Sequence, residues 1–182
     1  MKRLLAAVAL LGALAAAFLY VHSTSPPWYD RLRYPLRYEA IVRGHAHNYD
    51  LDPALLAAVI YAESKFDATA RSGSGAVGLM QLTPKTAEGI ATRTGGTAFH
   101  VSDLTNPEIN VRYGAWYLRD LFQKYHDERL VLAAYNAGQG NVDKWLRQGK
   151  PIQFPETIAY VARVERLKKI YRSAYASQLG YS

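Results

Sequence analysis

Glu63 is a lone acid at the end of an almost wholly apolar run, Leu55 to Ala62. A carboxyl in that setting is deprived of solvent, which disfavours its charged form and raises its pKa. A glutamic acid tuned upward toward neutrality can donate a proton at physiological pH. Protonation of the leaving oxygen is what cleavage of a glycosidic bond requires. By position alone, Glu63 reads sooner as a helix-end carboxylate turned to water or capping a neighbour. The stretch "SGSGAVGLMQL" comes next, with Gly73, Gly75 and Gly78 within six residues. Such backbone can approach a ligand closely. It does not fit a phosphate loop, because no lysine follows it and no strand precedes it. Met80 and Gln81 close the stretch. The Gln81 amide offers a donor and an acceptor, suited to a sugar or an acetamide, and Ser72 offers a hydroxyl. In "AAYNAG", Tyr135 and Asn136 pair an aromatic hydroxyl with an amide just before Gly138. They would line a groove if that segment's end faces Glu63. Taken singly, each of these residues is also accounted for by loop polarity or core packing. Together with 14 tyrosines and 12% aromatic residues, they resemble what a carbohydrate cleft uses for stacking and hydroxyl contacts.

The composition narrows the chemistry further. The 182 residues carry no cysteine, which removes disulfides, thiolate catalysis, Cys-ligated zinc and a lipidated N-terminal cysteine. His45 and His47 are two apart and point away from each other on a helix, and His22, His100 and His126 are scattered. No metal site and no cofactor are expected. There is no Gly-x-Ser-x-Gly elbow. A net charge of +7 points to an anionic partner. Nucleic acid is not the expected one, since no nucleic-acid motif accompanies the charge. A membrane face or an acidic polymer suits it.

The elements that must hold these residues are helices. Lys2 and Arg3 precede the uncharged stretch 4–21, whose 18 residues are just long enough to cross a bilayer core. The flanking charge directs the downstream chain outward. A cleaved signal peptide, with its site near Ser23, and an uncleaved anchor both fit residues 1–22. The length of the apolar stretch and bulky Phe18 to Val21 at its end favour the anchor. Either way the domain is expected outside the cytoplasmic membrane, in the periplasm or cell-wall space. Residues 23–35 hold Pro26, Pro27 and Pro35 and read as an extended linker, whose Arg31 and Arg33, with Arg37 just beyond, could touch anionic headgroups.

Beyond it, 36–50 has an amphipathic pattern with Leu36, Tyr38, Ile41, Val42 and Tyr49 apolar or aromatic. Asp52-Pro53, Thr83-Pro84 and Asn106-Pro107 each set a capping residue before a proline at the first helical position. The first opens an apolar helix ending near Glu63. The second runs to about Thr92. The third carries Ile109, Tyr113, Trp116, Tyr117 and Leu121 on one stripe. Asp127 caps a short helix that ends at Gly138, 141–148 adds a turn or two, and 155–175 is a long basic helix. Residues 176–182 read as a tail. No period-2 strand longer than about four residues appears, so the fold class is all-α.

Five ordered segments carry a resemblance: "ESKF", "GAVGLMQLTPKTA", "NPEINVRYGAWYLRDL", "AAYNAGQGNV" and "PETIAYVARV". They look like the successive motifs of the soluble-lytic-transglycosylase (SLT) type catalytic domain, over about residues 36–175. The resemblance implies the helical, lysozyme-like fold shared with goose-type lysozymes. It also implies cleavage of the β-1,4 bond between N-acetylmuramic acid and N-acetylglucosamine in peptidoglycan, with the muramic acid 6-hydroxyl closing a 1,6-anhydro ring. Carried over by position, Glu63 is acid and then base, and Ser72 holds the N-acetyl group or ring hydroxyls. Met80 and Gln81 line the glycan cleft, Tyr135 packs beside the reacting sugar, Asn136 supports it, and Glu156 binds substrate. A hydrolytic muramidase on the same fold would need a second carboxylate, with Asp67, Asp103 and Glu156 as sources. An inactive glycan-binding module is the further alternative.

Overall fold

In a computed structural model, residues 1–24, 26–96 and 98–181 are described; Ser25 of the expected linker and Ser182 of the expected tail lie outside them. The chain divides into two compact units, one of residues 1–35 and one from Leu36 on. The first unit holds α1 (Lys2–Thr24) and α2 (Pro27–Arg33). The most apolar 18-residue stretch of α1 has a mean hydropathy of 2.5, and the side chains of α1 are not buried in protein. α2 corrects the expected extended linker. Pro27 occupies the first helical turn, where its missing N–H costs nothing and its fixed φ is already helical. The residues after it, Trp28 to Arg33, contain no helix breaker.

The second unit is helical: α3 (Glu39–Asn48), α4 (Pro53–Ser64), α5 (Pro84–Thr94), α6 (Pro107–Tyr125), α7 (Glu128–Ala137), α8 (Gln139–Arg147), α9 (Pro155–Ala174) and α10 (Ala176–Leu179). A 3-10 turn covers Val101–Thr105. No strand forms among the described residues; the irregular loop contains only isolated bridges, Arg71 with Val77 and Val77 with Leu82. The capping logic explains the starts. Asp52 accepts from the Ala54 N–H, Thr83 from Thr86, Asn106 from Glu108, and Asp127 from Leu130. Each such cap stabilises its helix by about 1 kcal/mol.

α4 is the axis of the unit. Ala54 through Ile60 are all buried, and α4 packs against α3 and α9. Its N-terminus is tied to the chain end, where the Tyr181 hydroxyl donates to Asp52 and Arg172 pairs with the same carboxylate at 2.8 Å. The expected tail is therefore part of the packed unit, with α10 against α3 and α9. Two stripes also differ from expectation. α3 begins only after Tyr38, which is left-handed at φ 55°, and it buries Val42, His45 and Ala46. α6 buries Asn110, Gly114 and Leu118 alongside Tyr113 and Leu121, while Trp116 and Tyr117 stay partly exposed. On that buried face the Met80 sulfur occupies the space that a Cβ on Gly114 would need.

Candidate active site

Glu63 lies in the last turn of α4 because the helix stops just beyond it. Lys65 and Phe66 are both left-handed, at φ 53° and 65°. That conformation costs roughly 1–2 kcal/mol per residue. Phe66 is 1% exposed and packs on Tyr171 at 6.1 Å between ring centroids. Burying such a ring stabilises by about 1.5–3 kcal/mol, enough to offset much of that strain. The Ser64 hydroxyl lies 2.8 Å from the Leu79 carbonyl and joins the helix end to the glycine loop.

The Glu63 carboxyl is only partly accessible, and this burial pushes its pKa above the ordinary glutamate value. Two effects pull the other way. The Tyr160 hydroxyl donates to Oε1 at 2.7 Å, and the Arg163 guanidinium contributes positive charge. Tyr160 is 3% exposed, and burial, then the Glu63 charge, drives its pKa well above the usual tyrosine value. Its phenol therefore keeps its proton and acts as a fixed donor. Arg163 is itself exposed and stands 5.5 Å from the Tyr160 ring centroid.

Tyr135 links Glu63 to a groove. Its hydroxyl donates to the Met80 carbonyl at 2.7 Å, and burial followed by the Glu63 charge raises its pKa. Its ring tilts against Tyr117 at 5.6 Å. Gln81, Thr83, Thr86, Tyr117, Tyr135 and Asn136 help line a cavity of about 230 Å³. That is below the roughly 300–1,000 Å³ of sites that enclose a small ligand. A polymer would lie across it and not be engulfed. Larger depressions of about 420 and 500 Å³ lie elsewhere, one walled by Glu128, Glu165, Lys168 and Arg172 and the other beside Arg43 and Leu179. Glu63 lines none of the three, but Tyr135, which lines the smaller one, feels the Glu63 charge and so ties that cavity to the acid.

The other expected site residues divide. Gln81 is left-handed at φ 48°, and its amide nitrogen donates to the Ala70 and Gly78 carbonyls, at 3.1 and 3.0 Å. The amide oxygen remains for an incoming donor. The Asn136 side-chain oxygen accepts from Thr157 at 2.8 Å, which ties α7 to the first turn of α9. Glu156, in that same turn, is exposed. Ser72 is exposed, and its hydroxyl accepts from the Ala76 N–H at 3.0 Å and meets Ser74 at 2.9 Å, so it braces its own loop. Met80 is a correction. Its side chain is 0% exposed against Gly114, so it is a core residue and lines no open cleft. Its contribution at the site is the carbonyl that holds Tyr135.

The sequence does not single out Tyr160, Arg163 or Asn110, and it places Tyr117 only on a helix stripe. Asn110 is fully buried; it accepts from the Met80 N–H at 2.8 Å and donates to the Val77 and Leu104 carbonyls at 2.9 and 2.8 Å. The available signal for Tyr160 was its place three residues after Thr157, on the buried stripe of α9. Among the described residues, no three His, Asp or Glu side chains gather into a metal-ligand set.

Residues 40–165 match the family model described as the transglycosylase SLT domain. The chain is 32% identical over 157 residues to a soluble lytic murein transglycosylase of Salmonella typhimurium, covering 77% of this chain and 24% of that protein. It is 37% identical over 119 residues to a membrane-bound lytic murein transglycosylase F of Sodalis glossinidius, covering 54% and 24%. An inactive mutant of the lytic transglycosylase Slt from Pseudomonas aeruginosa superposes with a TM-score of 0.75 at 30% identity, over 91% of this chain and 30% of that one. The 70-kDa soluble lytic transglycosylase of Escherichia coli gives 0.74 at 29% identity, over 79% and 25%. The chain thus spans about a quarter of the length of these curated relatives.

Proposed function

The chain belongs to the transglycosylase SLT domain family, and from that premise we propose that it is a lytic transglycosylase of peptidoglycan. It cleaves the β-1,4 bond between N-acetylmuramic acid and N-acetylglucosamine and leaves 1,6-anhydromuramic acid ends. The observation that carries this reading is the single carboxyl of Glu63, burial-raised in pKa and held by one oxygen. Tyr160 donates to Oε1, so the proton of the acid form rides on Oε2. That oxygen gives it to the glycosidic oxygen as the bond to muramic C1 breaks. The 2-acetamido oxygen stabilises the positive centre, so no protein nucleophile is needed. The carboxylate then takes the 6-hydroxyl proton while O6 bonds to C1, and Glu63 returns to its acid form. One group serving in turn as acid and base is best placed with a pKa raised toward neutrality.

Gln81, Tyr135 and Asn136 form the glycan groove, with Tyr117 added to it. Ser72 shapes the loop that borders the strand, and Glu156 meets substrate at the exposed start of α9. Residues 36–175 act as the catalytic domain. The 1–22 segment acts as an uncleaved anchor that holds the domain on the extracytoplasmic face, and the glycan strand is the partner.

Hydrolysis is the second reading. It calls for a carboxylate free to activate water. The Asp67 Oδ1 accepts from the Thr69 N–H and hydroxyl, both at 2.8 Å, and Asp103 accepts from the His100 N–H at 2.9 Å. Both are engaged in local turns; Glu156, the third source, is exposed in the first turn of α9, so it is the carboxylate that a hydrolase would have to use. The test is mass spectrometry of soluble products after the full-length protein digests peptidoglycan. Anhydro-ended fragments are expected, and Glu63→Gln should slow their release by at least about 10²-fold. Fragments heavier by one water would make the protein a hydrolase. Equal activity in the Gln variant would remove Glu63 from the mechanism.

A further inference from the structure

The short helix α2 is inverted relative to a helix that faces water. Trp28, Arg31 and Leu32 stand at i, i+3 and i+4, so they share one edge. Trp28 is 57% exposed and Leu32 is 77% exposed. Asp30, on the other side, is 7% exposed. Its one acid is turned in and its largest apolar groups are turned out. In water that arrangement wastes apolar surface; against a lipid interface it is the expected one.

The position of the helix supplies the occupant. α1 has 23 residues, which at 1.5 Å per residue is about 35 Å. A bilayer's hydrocarbon core is about 30 Å thick. The end of α1 therefore already reaches the headgroups. α2 starts three residues after Thr24, a reach of at most about 11 Å. It cannot leave the interfacial zone by far. Tryptophan favours that zone, and Arg31 and Arg33, both exposed, add positive charge on the same helix.

We propose that α2 lies on the outer surface of the membrane crossed by α1, with Trp28 and Leu32 among the lipid glycerol groups and Arg31 beside anionic phosphates. This rests on α1 being an uncleaved span, and it is independent of which bond the enzyme cuts. It makes the anchor two-part, a span and an interfacial rest, and so fixes where the second unit's chain leaves the membrane.

The absence of cysteine makes a clean test possible. Full-length protein with Leu14→Cys or Leu32→Cys is spin-labelled in nanodiscs of phosphatidylcholine and phosphatidylglycerol. Accessibility to oxygen and to a water-soluble nickel chelate then reads depth. The label at 14 is expected in hydrocarbon and the label at 32 at headgroup depth. Adding Trp28→Ser or Arg31→Gln should move the label at 32 toward its value in water. A label at 32 in water, with 14 in hydrocarbon, overturns the proposal and leaves the span. A label at 14 in water overturns both. Immersion at 32 that neither substitution changes would belong to the label itself and would also overturn the proposal.

Discussion

Glu63 and Tyr160 come from segments 97 residues apart and meet at 2.7 Å. The phenol does two things to the acid: it fixes which oxygen carries the proton, and it favours the charged form. The sign of a pH effect is set by the second. Removing the phenol in Tyr160→Phe takes away an interaction that lowers the Glu63 pKa, so that pKa rises further. The proposed first step needs the protonated acid, so activity is expected to fall as pH rises through the Glu63 pKa. The alkaline limb of kcat/KM should therefore move to higher pH in Tyr160→Phe. kcat should also drop, by about 10–100-fold, because the carboxyl loses its orientation. A pH–rate profile checks this. An unmoved limb with a reduced rate would reduce Tyr160 to packing. The acid was legible in the sequence because it interrupts a long apolar run. Its phenol was not, because one tyrosine among 14 carries no mark, and a contact across such a sequence distance has no local pattern.

At the scale of elements, the loop between α4 and α5 is shaped from beneath by α6. Asn110 reaches up from that helix and bonds the Val77 carbonyl and the Met80 N–H. Gly78 lies directly against it, at φ 82°. A Cβ there would fall 2.2 Å from the Asn110 amide nitrogen and 2.2 Å from the Leu104 carbonyl oxygen. Gly75 has the same φ, but nothing lies within 4 Å of its Cβ position. The two glycines thus separate backbone strain from steric exclusion. Gly75→Ala should cost about 1–2 kcal/mol, the left-handed penalty alone. Gly78→Ala should cost about 3–5 kcal/mol, since crowding a packed site adds to the same penalty. Urea denaturation of both variants checks the difference; equal costs would mean that Asn110 yields freely. Helix starts were legible because capping residues and prolines act within a few residues of where they sit. The turn of α6 that buries Asn110 and half-exposes Trp116 was not. Met80 enters there beside Gly114, a tertiary fit that periodicity does not encode. The helical α2 was hidden for a different reason: Pro26-Pro27 suits an extended spacer and a helix start alike.

At the scale of the whole molecule, the unit that matches the family comes after a segment that passes for either a signal or an anchor. The family match over residues 40–165 bears on the first and leaves the second open. The energetics separate the two ways this chain can hold a membrane. Nine Leu, Val and Phe residues between positions 4 and 21 together favour insertion by roughly 3–5 kcal/mol. Arg31, Arg33 and Arg37 contribute about 1 kcal/mol each near an anionic surface. That second contribution is screened at high salt, where the Debye length falls to about 3 Å at 1 M, and the first is not. If residues 1–22 stay attached, full-length protein made in bacteria should remain in the membrane fraction through 1 M salt and alkaline carbonate, and detergent alone should release it. Its N-terminal peptide should then contain Lys2 and Arg3. Protein that begins near Thr24 and washes off with salt would show a cleaved signal, with only the basic, aromatic segment left to touch lipid. A domain so released would meet its glycan by diffusion. A tethered one would be restricted to strands within reach of the membrane, so under the proposed activity the N-terminus would determine where the wall is cut.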